Sequence, residues 1–121
     1  MSYMLLIHEP VGQRATRTEA EGRAAYAAMV AFGEQLAAAG QLKAVESLAS
    51  LDSAVRVSQA QGKPLAVDGP FAEAKEMVGG FFLLQNVTRE QAIAWAHACP
   101  AAQWCTVEVR ALAPCFDDSR G

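Results

Sequence analysis

The chain has 121 residues, of which 52% are hydrophobic and 19% charged, and a formal net charge of −3. That is enough chain for one domain with an ample core, and it lacks the low hydrophobicity and high charge of a disordered segment. Ten basic side chains against 13 acidic ones, with no basic run, argue against direct nucleic-acid binding. No apolar stretch approaches the roughly 20 residues of a membrane span.

The start, MSYMLLIHEP, lacks the basic opening and long apolar run of a signal peptide, so a cytoplasmic protein is expected. Tyr3, Leu5 and Ile7 alternate with Met4, Leu6 and His8, which gives the first run, 3–8, the length and period of a strand. Thr18 and Glu21 have the spacing of a capping box. The alanine-rich helix that follows repeats Tyr26, Met29, Val30, Gly33 and Leu36 on one side, and Gly40 supplies its left-handed stop. LKAVESL (42–48) and SAVRVS (53–58) read as strands. Gln61-Gly62 reads as a hairpin turn into PLAV (64–67). After the segment DGPFAEAKEMVGG (68–80), GFFLLQNV (80–87) is another strand. Thr88 and Gln91 form a second capping box, and the helix behind it ends at Pro100. WCTVEVRAL (104–112) is the last strand, and residues 113–121 form a loose tail without periodicity.

With the hairpin set aside, the order is strand–helix–strand–strand–helix–strand. This predicts an α+β fold, the ferredoxin-like split βαβ plan with an extra β-hairpin, as a single domain over residues 1–112. Helices cover only one face of such a sheet. The first strand nevertheless is apolar on both faces, and Phe81, Phe82, Leu83 and Leu84 repeat the pattern. Leaving the second set in water costs about 1.5–3 kcal/mol per large side chain. A homodimer with sheets face to face is therefore expected.

Cys99, Cys105 and Cys115 contain no C-x-x-C pair, and the chain has only His8 and His97 as histidines. These numbers suit reduced thiols and neither a metal site nor a cofactor site. The most chemically loaded stretch is 68–80. Asp68 has two readings: a turn cap, or a general base or substrate acceptor at the mouth of a pocket between sheet and helices. Gly69 and Pro70 shape the turn, and Pro70 can also start a short helix through Lys75. On the ligand-binding reading Gly69, Pro70 and Phe71 border the ligand, Lys75 holds an anionic group and Glu73 orients it. Gly79 and Gly80 mark a bulge or a close approach of backbone or ligand. Glu108 and Arg110 share one face of the last strand as cross-strand partners or ligand contacts, and His8 is the better placed of the two histidines to assist.

YMLLIH, VDGPFAEAKEMVGGFFLL and AIAWAHACPAAQWCTVEVRAL together resemble the YCII-related proteins, in particular the DGPF-domain branch. The resemblance implies a ferredoxin-like fold that pairs into a dimeric α/β barrel. It also implies association with extracytoplasmic-function sigma factors. The wider group's proposed histidine–aspartate pair places its histidine in the first helix, where this chain has none. Two functions follow. One is a cofactor-free enzyme, isomerase- or lyase-like, acting on a small cyclic or aromatic molecule near Asp68. The other is a non-catalytic small-molecule-binding or regulatory module working with a sigma factor.

Overall fold

Chain order and strand pairing follow directly from the local signals. The computed structural model describes residues 1–118. Strand β1 (Tyr3–Pro10) leads to helix α1 (Glu19–Ala38) and strand β2 (Leu42–Ser47). Strands β3 (Val55–Ala60) and β4 (Lys63–Asp68) come next, followed by β5 (Glu76–Leu84). Helix α2 (Arg89–Ala98), strand β6 (Thr106–Ala111) and a single helical turn, α3 (Cys115–Asp118), complete the described chain.

The four core strands form one antiparallel sheet in the order β2-β5-β1-β6, the split βαβ arrangement. Strands β3 and β4 form a separate two-stranded ribbon. The sheet has free edges at β2 and β6, so one chain alone does not close a barrel.

Both expected capping boxes form. The Thr18 hydroxyl accepts from the Glu21 N–H at 3.1 Å while the Glu21 carboxylate accepts from the Thr18 N–H at 2.8 Å. Thr88 and Gln91 repeat this at α2. At the end of α1, Gly40 takes φ +73°. Its N–H then reaches Ala37 and the Gln41 N–H reaches Leu36, the paired bonds of a Schellman stop. Gln61 and Gly62 both have positive φ, as a two-residue hairpin turn requires.

The core lies between the sheet and the helices. Tyr3, Leu5 and Ile7 of β1 and Phe82 and Leu84 of β5 meet Phe32 and Leu36 of α1 and Ala92 and Ala96 of α2. Phe32 packs edge-on to Phe82 with centroids 5.1 Å apart. Met4, Leu6, Phe81 and Leu83 point to the opposite face, away from α1 and α2, and are half-buried.

Three expectations need correction. Strand β5 starts at Glu76, upstream of the expected 80, because the glycine pair is accommodated inside the strand as a bulge. Strand β6 starts at Thr106, because residues Pro100–Gln103 wind into a 3-10 turn that carries Trp104 away from the sheet. The short helix from Pro70 does not form: the Gly69–Pro70 peptide is cis, and a single bond from the Ala74 N–H to the Phe71 carbonyl closes a turn. The tail holds the helical turn α3, and its remaining residues, 119–121, lie outside the described residues. No helix among the described residues is long and apolar enough to cross a membrane.

Candidate functional site

Helix α1 shows Gly22, Ala25, Gly33 and Ala37 toward the sheet, and side chains this small leave space unfilled above β2 and β5. The result is a cleft of about 620 Å3. Ile7 and Phe82 form its floor, while Tyr26, Met29 and Val30 form the α1 wall. Trp104 and Cys105 enter from the turn before β6, and Gln13, Arg14 and Arg17 from the connection between β1 and α1.

The inward phase of β1 continues past Ile7 to Glu9, which is only 7% exposed. Its carboxylate accepts two hydrogen bonds from one guanidinium, from Arg14 Nε at 2.9 Å and from Arg14 Nη2 at 2.8 Å. Such forked pairing is among the strongest side-chain contacts and fixes orientation as well as charge. It raises the Arg14 pKa above its ordinary value, the hydrogen bond to Glu9 being the largest cause.

Gly79 makes room for this pair. It is the extra residue where β5 shifts register between Ile7 and His8 of β1. A Cβ at Gly79 would fall well inside the van der Waals radius of the Glu9 carboxylate. The Gly79 carbonyl accepts from the Leu48 N–H at 2.9 Å and from Arg14 Nη2 at 3.4 Å. A Cβ at Gly80 would lie 2.8 Å from the Glu46 carbonyl of β2. Both readings of the glycine pair therefore hold together: a bulge, and a close approach of neighbouring groups.

Beside the pair, Gln13 Nε2 donates to the Trp104 carbonyl at 2.8 Å. Gln13 Oε1 accepts from Arg17 Nη2 at 3.4 Å and from the Cys105 thiol at 3.5 Å. The Arg17 guanidinium lies 5.6 Å from the centroid of the Trp104 ring. Burial, with the Glu9 charge adding to it, pushes the Cys105 thiol up to about 11, so it is protonated and a poor nucleophile near neutral pH. Among the described residues no group of three or more His, Cys, Asp and Glu is placed to hold a metal ion.

A sequence profile of the YCII-related domain matches residues 1–115. The chain belongs to the YCII-related family. An uncharacterised protein of Rhizobium meliloti (strain 1021) is 35% identical to it over 77 residues, which is 62% of this chain and 62% of the relative. The match thus spans less than two thirds of that relative's length.

In this YCII-related chain the residues singled out from sequence fall into three places. Gly79 and Gly80 line the cleft. His8, Glu108 and Arg110 meet on the opposite sheet face: His8 Nε2 lies 2.6 Å from Glu108 Oε1, and Arg110 Nε donates to Glu108 Oε2 at 2.8 Å. Glu108 and Arg110 are therefore partners of each other, and His8 looks away from the cleft.

The remaining residues belong to the base of the ribbon. Asp68 is exposed, and among the described residues its carboxylate caps no N–H. The turn is held instead by the Gly69 N–H, which donates to the Ala54 carbonyl at 2.7 Å. A Cβ at Gly69 would overlap the Leu51 carbonyl, so glycine is needed there for space. Pro70 is exposed and Phe71 is buried, with the Arg56 guanidinium 3.8 Å above its ring. Arg56 Nη1 also donates to Glu73 Oε1 at 3.1 Å, so Glu73 pairs with Arg56 and not with Lys75. Lys75 contributes its backbone carbonyl to the Val11 N–H.

Sequence reasoning missed Glu9, Arg14, Arg17 and Trp104. The available signal was a carboxylate in the apolar phase of a strand, which requires a buried partner.

Proposed function

We propose that this YCII-related protein is a cofactor-free enzyme of the isomerase or lyase type, acting on a small cyclic molecule held in the cleft between α1 and the sheet. One observation carries this reading: the Glu9 carboxylate is buried in a mostly apolar cleft, forked by Arg14, whose own side chain stays 37% exposed. A buried carboxylate is seldom the cheapest way to stabilise a fold, since an apolar residue of similar volume needs no partner. A volume of about 620 Å3 also lies in the range of small-molecule sites.

In the proposed reaction Glu9 takes a proton from carbon beside a substrate carbonyl. The electron pair moves onto the carbonyl oxygen as a dienolate conjugated with a carbon–carbon double bond of the substrate, and Glu9 returns the proton at the far carbon of that system, so that the double bond shifts. Such an isomerisation is redox-neutral and needs no co-reactant. Arg14 holds the Glu9 carboxylate in a fixed orientation. The reacting group is thus placed at Glu9, while Asp68 lies outside the cleft.

The same proposal includes a homodimer with sheets face to face, forming a dimeric α/β barrel. Its support is the set Met4, Leu6, Phe81 and Leu83 on the face opposite α1 and α2.

The test is a screen of unsaturated lactones and hydroxylated aromatics by NMR. Glu9→Gln is expected to lower turnover at least ~100-fold, the usual weight of a positioned base. Asp68→Asn is expected to keep it. A folded Glu9→Gln variant with undiminished turnover overturns the assignment. Ligand binding without any turnover supports the regulatory, sigma-factor-linked reading instead.

A further inference from the structure

We infer that the cleft takes its ligand as a small organic anion, with Arg17 meeting the negative charge and the apolar α1 wall meeting the body; this rests on the cleft being the ligand site. Three charged side chains converge at the inner end: Glu9, Arg14 and Arg17. Both Glu9 oxygens are occupied by Arg14 Nε and Nη2. One positive charge is left over. Among the described residues Arg17 has no carboxylate within ion-pair distance: Glu21, on the first turn of α1, acts on it only through space, and its polar side-chain contact is a long bond to the neutral Gln13. Arg14 Nη1 likewise has no acceptor among the described residues.

Two further carboxylates border the cleft, Glu34 and Glu46. Glu34 stands on α1 about 18 Å beyond Gly22 at 1.5 Å of rise per residue. Glu46 pairs with Phe81, so its side chain shares the face turned away from α1. Neither neutralises the inner end. A guanidinium that keeps free N–H donors beside apolar walls matches a carboxylate or similar anion geometrically, and a neutral ligand leaves those donors unpaired. Trp104, with Arg17 5.6 Å from its ring centroid, lines the same part of the cleft.

The experiment compares phenylacetate and 4-phenylbutyrate with their neutral amides. Binding is followed by calorimetry and by the tryptophan indole N–H signals of the whole protein. The Trp104 signal is expected to move, while that of Trp95, bonded to Gln41 and outside the cleft, stays as reference. Each anion is expected to bind at least tenfold tighter than its amide. Arg17→Gln should bring that ratio close to one by weakening the anions, and Arg17→Lys should keep part of it. Amides that bind as tightly as the anions overturn the inference and leave the cleft reading intact. A ratio unchanged in Arg17→Gln overturns the role of Arg17. If no probe moves Trp104, the cleft reading itself falls, and this inference with it.

Discussion

Glu9 stands in the same phase of β1 as Tyr3, Leu5 and Ile7, and it is tolerated there because Arg14 and Gly79 were added around it. Gly79→Ala should therefore push the carboxylate off its fork or spread β5 from β1. Overpacking of this kind costs about 1–3 kcal/mol. Denaturant unfolding should show that loss, and a variant as stable as the wild type would contradict the tight fit.

On the opposite face, Glu108 titrates below its ordinary value, held there first by the Arg110 hydrogen bond and then by His8. A carboxyl depressed in the folded state contributes stability above its unfolded value, and loses that contribution as pH falls through the folded one. Arg110→Ala should move the Glu108 midpoint upward in a carbon-detected NMR titration. In the single chain the effect on stability should be small, since solvent reaches the group. Of these pairings the sequence offered only a shared strand face for Glu108 and Arg110. Gly79 and Arg14 are 65 positions apart, and the glycine pair announced a close approach without naming what approaches.

The elements, by contrast, were largely legible, because their signals are local. Thr18 with Glu21 and Thr88 with Gln91 each state where a helix begins, and both helices start at the next residue. Thr18→Ala removes the acceptor for the Glu21 N–H and should cost about 1 kcal/mol, read as a lower melting temperature. An unchanged melt would mean that packing alone fixes this end of α1. The ribbon was legible from Gln61-Gly62, but its exposure was not. Val55, Val57, Leu65 and Val67 stand in the solvent, and Arg56, laid over Phe71 and bonded to Glu73, ties the ribbon to its return segment. The boundaries that sequence misjudged are those set by a bulge and by a 3-10 turn, where spacing no longer follows a single period.

At the scale of the whole molecule, the proposed pairing of sheets makes a direct prediction. Leu6→Glu or Phe81→Glu would bury a charge against the partner's apolar face, which is costly without a partner charge. Wild type is expected to sediment as a dimer at micromolar concentration and either variant as a monomer. A monomeric wild type would remove the dimer from the proposal.

The connection between β2 and β5 has a different consequence. Ser47 and Gly80 face each other across the ladder, so the chain leaves the sheet and rejoins it at nearly the same place. Residues 48–75 are an elaborated loop on one hairpin, since β5 pairs with β1 from Glu76 onward. Lengthening, shortening or exchanging it changes no neighbour relation among the four core strands. The ribbon and the Asp68–Phe71 turn are in that sense a port, where new partners or ligands can be accommodated while the cleft stays as it is.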